Sequence, residues 1–126
     1  PPTSQYAAVE AMRNGDPDIE HMREEYDSRR RYLVESLNRI GLSCFEPKGA
    51  FYVFPDIRST GLTSEEFCER FLLEEKVAVI PGSAFGPGGE GFVRACYAAS
   101  MKDIAEAVAR LDNFLTNLRR KQSKET

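Results

Sequence analysis

Ile19, Met22, Tyr26, Leu33, Leu37 and Ile40 recur every three, four or seven positions. That spacing stacks side chains on one face of an α-helix. Asp16 is a good N-cap, Pro17 suits a first helical turn where its missing N–H is not needed, and Gly41 offers a C-terminal stop. The helix this predicts has about 24 residues and is about 36 Å long. For a chain of 126 residues that is long, and a helix overhanging so small a core makes sense as a connector to a neighbouring domain. Its other face is charged. "REEYDSRRR" (23–31) mixes both signs and reads as a solvated surface, with the run Arg29–Arg31 interleaved among Glu24, Glu25 and Asp27.

Upstream, Ser4 precedes Tyr6, Ala7, Val9, Ala11 and Met12, so a shorter helix starts there and stops at "NGDPD" (14–18). Downstream the period changes. "LSCFEPKGAFYVFPDI" (42–57) reads as two strands, Leu42 to Phe45 and Ala50 to Phe54, around Pro47–Gly49. Thr63 and Glu66 form a capping box that starts a helix through about Glu75, with Phe67, Phe71 and Leu72 on one face. "VAVIPG" (77–82) is a short strand closed by a Pro-Gly turn. A further strand, Phe92 to Ala98, reads as buried on both faces. Ser100 with Asp103 starts a last helix carrying Ile104, Val108, Leu111, Leu115 and Leu118, and "RRKQSKET" (119–126) reads as a frayed polar tail. The order α-α-β-β-α-β-β-α, without internal repeats, predicts an α/β (α+β) sandwich. It is a small, mostly antiparallel sheet with helices packed on one face.

Several functions are excluded early. A net charge of −3 gives no field to hold nucleic acid or an anionic membrane. No apolar run approaches the roughly 18 residues of a membrane-spanning helix. Cys44, Cys68 and Cys96 are odd in number and lack C-x-x-C spacing, which predicts buried free thiols in a reducing cytoplasm. His21 is the only histidine, which removes His-pair metal sites and reads as a half-exposed helix residue. The opening "PPTSQYAAVEAM" has no initiator methionine and carries apolar residues already at helical spacing, as expected of a piece of a longer protein.

Arg94 stands in the middle of the apolar strand "FVRACYA" (92–98). A guanidinium keeps its charge, and burying it unpaired costs several kcal/mol or more. Two readings are open. Either an internal carboxylate such as Asp56 or Glu90 neutralises it, or its planar fork receives a small carboxylate or phosphate from outside. Phe51 and Tyr52 are placed to wall such a pocket, or are ordinary core aromatics. The loop "PGSAFGPGGEG" (81–91) runs from strand to strand and lacks the Lys-Ser/Thr and the following helix that phosphate-cradling loops need. It is either a flexible connection or a loop shaped around a ligand.

"PKGAFYVFPDI", followed by "VAVIPGSAFGPGGEGFVRACYA", resembles the C-terminal small domain of class I/II pyridoxal-phosphate-dependent aminotransferases, the aspartate-aminotransferase-like, fold type I family. The ordered set G-A-F-Y, V-x-V-x-P-G-x-x-F and V-R-x-x-Y-A carries the likeness, which extends over nearly the whole chain. By resemblance, residues 1–15 are the tail end of the large cofactor domain and 16–126 are the small domain with its interdomain helix. The resemblance implies that Arg94 binds the substrate's α-carboxylate and that Phe51 lies near the substrate. The substrates would be amino acids and 2-oxo acids, and the parent a cytoplasmic homodimer using pyridoxal phosphate. The lysine that binds the cofactor covalently belongs to the large domain in this family. Lys48, Lys76, Lys102, Lys121 and Lys124 fit no such role, so no catalytic or cofactor-binding residue is expected here and the isolated segment is expected to be inactive. Two alternatives stay open: an amino-acid-binding regulatory domain with a ferredoxin-like sheet, and the same domain from a lyase or synthase of this fold.

Overall fold

The computed structural model describes residues 1–123. Helix α1 (Pro2–Asn14) leads into α2 (Asp16–Ile40) with Gly15 between them in helical conformation, φ −82° and ψ −9°. The Gly15 N–H donates to the Ala11 carbonyl at 2.9 Å, and the Ile19 N–H donates to the Gly15 carbonyl at 3.0 Å. As expected, α1 ends and α2 begins within "NGDPD", but the N-cap of α2 is Gly15 and not Asp16, which is the first helical residue, and α1 starts at Pro2 ahead of Ser4. Pro17 removes a single backbone donor, which a helix tolerates at such a joint. The stop at Gly41 is as expected, in the left-handed conformation at φ +96°.

The buried residues of α2, Leu33, Ser36, Leu37 and Ile40, all lie in its C-terminal half, while α1 buries nothing. Tyr6, Val9, Met12, Ile19 and Met22 are exposed. The overhang anticipated from the length of α2 is real.

Helix α4 (Met101–Gln122) packs against α2 on one side and against α3 (Ser64–Glu75) on the other. Helices α3 and α4 both start as their sequences dictate. The Thr63 hydroxyl accepts from the Glu66 N–H while Glu66 accepts from the Thr63 N–H, and the Ser100 side chain accepts from the Asp103 N–H. Phe67, Phe71 and Phe114 form a ring cluster with centroids 5.3–5.9 Å apart. Each such contact contributes about 0.5–1.5 kcal/mol beyond burial. Leu72 is exposed, and Cys68 takes the core position instead. Residues 119–122 continue α4 where a frayed tail was expected, because Arg119 donates from Nη2 to the Ile40 carbonyl at 2.9 Å and fastens α4 to the end of α2. Residues 124–126 of that tail, Lys124 among them, lie outside the described residues.

The sheet has three antiparallel strands in the order β1-β3-β2: β1 (Tyr52–Val53), β2 (Ile80–Pro81) and β3 (Val93–Cys96). Tyr52 pairs with Cys96 and Ile80 with Arg94. The strands are shorter than the sequence suggests. Leu42 to Phe45 contributes one bridge, Cys44 to Pro55, because the Asn38 side chain satisfies the Cys44 backbone on both sides, at 3.1 and 3.3 Å. Pro55 and Pro81 lack the N–H a longer ladder would use.

Helices cover one face of the sheet, where Val53, Val93 and Tyr97 are buried. The face carrying Arg94 is open: Phe92 and Arg94 are partly buried, Cys96 and Ala98 exposed. The expectation of a strand buried on both faces is thus corrected, and with it the burial of Cys96. Cys44 and Cys68 are buried free thiols, and burial pushes each up to about 11. His21 is exposed. Among the described residues no helix is long and apolar enough to cross a membrane.

Candidate functional site

Arg94 lies on the open face of the central strand, and neither expected partner reaches it. Asp56 is engaged by Arg58, whose Nε donates to both carboxylate oxygens at 3.0 Å, and this hydrogen bonding holds the Asp56 carboxyl below its ordinary range. Glu90 accepts from the Ser64 N–H at 2.8 Å and from the Ser64 hydroxyl at 2.7 Å. Among the described residues no carboxylate forms an ion pair with Arg94. Two rings flank it instead. The guanidinium carbon lies 4.4 Å from the Tyr52 ring centroid and 4.6 Å from that of Phe85, well inside cation–π range.

Tyr52 comes from β1 and Phe85 from the glycine-rich loop that follows β2. That loop is built, and it does not read as a flexible tether. Two 3-10 turns, Gly82–Phe85 and Pro87–Gly89, fold it back on itself. The Gly82 N–H donates to the Phe92 carbonyl at 2.8 Å. A Cβ on Gly82 would sit 1.9 Å from the Gly89 carbonyl oxygen, and one on Gly89 would sit 2.0 Å from that of Gly82. Only glycine permits backbones to approach so closely. Phe54 then meets Phe85 edge-on, with centroids 5.7 Å apart. Sequence reasoning gave Phe85 no role; the phenylalanine closing V-x-V-x-P-G-x-x-F was the available signal.

Phe51 stands one ring further out. It is 38% exposed and packs on Tyr52 at 4.7 Å and Tyr26 at 5.9 Å. Just before it, Ala50 has φ +58°, a left-handed conformation costing an alanine about 1–2 kcal/mol. Tyr97 holds this turn: its hydroxyl donates to the Ala50 carbonyl at 2.8 Å and its N–H to the Phe51 carbonyl at 2.9 Å. Alternation along a strand sends Tyr97 and Arg94 to opposite faces. One motif therefore supplies both the half-buried cation on the open face and the buried anchor for the aromatic turn beside it.

The far end of the loop is tied to α3. Hydrogen bonds from the Ser64 N–H and hydroxyl hold the Glu90 carboxyl below its ordinary value. A carboxyl depressed in the folded state contributes stability that is full above its unfolded pKa of about 4.3 and is lost as pH falls through the lower folded value. Glu90→Gln is expected to lower Tm at neutral pH and to leave a shallower loss of stability on the acid side. Thermal melts between about pH 3 and pH 7 check this, and coincident curves for the two proteins would count against it.

The family described as aminotransferase class I and II matches residues 1–111. The chain belongs to that family. It is 51% identical over 113 residues to an aspartate aminotransferase of Pyrococcus abyssi, and 48% identical over 113 residues to aromatic-amino-acid aminotransferase 2 of Thermococcus litoralis. Each match covers 88% of this chain and 29% of the relative. The crystal structure of an aromatic aminotransferase from Pyrococcus horikoshii OT3 superimposes with a TM-score of 0.88 at 48% identity, covering 91% of this chain and 31% of that one. The chain thus spans somewhat less than a third of the aminotransferases it matches.

Aminotransferases of this family generally depend on pyridoxal phosphate, which a lysine holds covalently. Lys48 faces Glu46 at 3.3 Å in an exposed pair, and Lys76 donates to the Leu73 carbonyl at 2.7 Å. Lys102 and Lys121 are exposed on α4. No described lysine occupies an enclosed site suited to covalent attachment. Among the described residues no cluster of His, Cys, Asp or Glu could hold a metal ion either.

Proposed function

We propose that this segment is the C-terminal small domain of a pyridoxal-phosphate-dependent aminotransferase, in which Arg94 binds the α-carboxylate of an amino acid or 2-oxo acid. The observation that carries this reading is a guanidinium held by rings on an open sheet face without an internal anion. Two oxygens of a carboxylate match two parallel N–H donors of an arginine, fixing orientation as well as adding charge-assisted hydrogen bonds. Holding the substrate this way aligns it for reaction, and Phe51 lies beside it at the mouth of the site. The cofactor, when bound, supplies the electron sink for amino-group transfer. Its lysine and phosphate contacts belong to the part of the protein outside this segment. Residues 1–15 are the end of that large domain and 16–126 the small domain that helps close the site. The same resemblance supports a cytoplasmic homodimer. The match over residues 1–111 weighs against a free-standing regulatory domain, and the relatives named above are aminotransferases, not lyases or synthases.

The segment alone is expected to be inactive, while the full-length protein exchanges amino groups between an amino acid and a 2-oxo acid when supplied with pyridoxal phosphate. Incubating the segment with pyridoxal phosphate, reducing with borohydride and mapping the adducts should give scattered substoichiometric labelling of surface lysines. One stoichiometric lysine adduct accompanied by turnover would overturn the proposal.

A further inference from the structure

We propose that Tyr52 and Phe85 are positioning residues that hold Arg94 ready for the incoming carboxylate, an inference that rests on the carboxylate reading of Arg94. The strand order places β3 between β1 and β2. Tyr52 therefore reaches the guanidinium from one neighbouring strand, and Phe85 from the turn after the other, at 4.4 and 4.6 Å. A half-buried arginine ordinarily recruits an acidic partner, and Asp56 and Glu90 are both near in sequence to these elements. Each is instead consumed elsewhere, by Arg58 and by Ser64. The difference matters chemically. A carboxylate would order the guanidinium by using up its N–H donors and cancelling its charge, so a substrate would have to displace it. An aromatic face attracts the cation through its quadrupole and takes no N–H donor. The fork stays ordered, charged and open along its edge.

The surroundings of Phe85 fit this task. The ring is 50% exposed, so core burial does not account for its place. It is delivered by the turn Gly82–Phe85, fixed through the Gly82–Gly89 backbone approach, and steadied edge-on by Phe54. Ordering a long side chain before binding removes a cost otherwise met at binding, worth about two- to tenfold in affinity.

The test uses the full-length protein with its cofactor. Phe85→Leu keeps apolar bulk but removes the ring face, and Phe85→Tyr restores it. Phe85→Leu is expected to raise KM for every amino donor by one common factor, about two- to tenfold. That increase should exceed any fall in kcat and leave Tm close to wild type, with Phe85→Tyr near wild type throughout. An unchanged KM in Phe85→Leu, in a protein whose Arg94→Lys variant has lost substrate binding, overturns the positioning role while the carboxylate reading stands. Equal damage in the leucine and tyrosine variants with a lowered Tm likewise makes the ring structural. An unchanged KM in Arg94→Lys itself overturns the carboxylate reading. If Phe85→Leu does not fold, Tyr52→Leu against Tyr52→Phe puts the same question from the other ring, and failure of both leucine variants to fold overturns the assignment.

Discussion

Arg94→Lys in the full-length protein lowers kcat/KM by about thirtyfold to several thousandfold, the expected cost of losing a charge-assisted bidentate pair of about 2–5 kcal/mol in a closed site. Lysine keeps the charge but is a point donor on a flexible stem, so the two-pronged geometry disappears. The defect should be uniform across amino-acid substrates, since each carries the same α-carboxylate. Thermal stability and cofactor absorbance should persist. Arg94 closes no internal ion pair among the described residues, and the proposed cofactor contacts lie outside this segment. Measuring Tm and kcat/KM on one preparation decides the matter. Intact kinetics with a large fall in Tm would mean that Arg94 is a structural residue whose role is packing against Tyr52 and Phe85.

Gly82→Ala should cost about 3 kcal/mol of stability, a fall in Tm of about 10 °C or more for a domain of this size. The new methyl would meet two backbone oxygens, that of Gly89 at 1.9 Å and that of Phe92 at 2.6 Å. Backbone cannot rotate aside as a flexible side chain can, so the turn must open. Because that turn carries Phe85, KM should rise with the stability loss. Gly88→Ala is the matched control. A Cβ there has nothing within 4 Å, and the change should stay within about 0.5 kcal/mol. Equal melting of Gly82→Ala and wild type would show that the loop is far more yielding than its packing implies.

What the sequence determined by itself was local. Thr63 with Glu66, and Ser100 with Asp103, started α3 and α4 because a capping side chain reaches only three residues along the chain. Gly41 ended α2 because left-handed backbone is cheap for glycine. The stripe Ile104, Val108, Leu111, Leu115 and Leu118 became the buried face of α4. The ordered motifs pointed to the family and singled out Arg94. Tertiary structure decided the rest. Periodicity could not show that Gly15 and not Asp16 caps α2, that Asn38 satisfies the Cys44 backbone in place of a neighbouring strand, or that the Arg94 face of β3 is open. Nor could it give the environment of Arg94, since Tyr52 and Phe85 are local neighbours only after β1 and β2 have paired on either side of β3. Spacing along a chain encodes which residues share a face. What that face meets depends on segments distant in sequence, and only their packing brought two rings to Arg94 and kept the acids away.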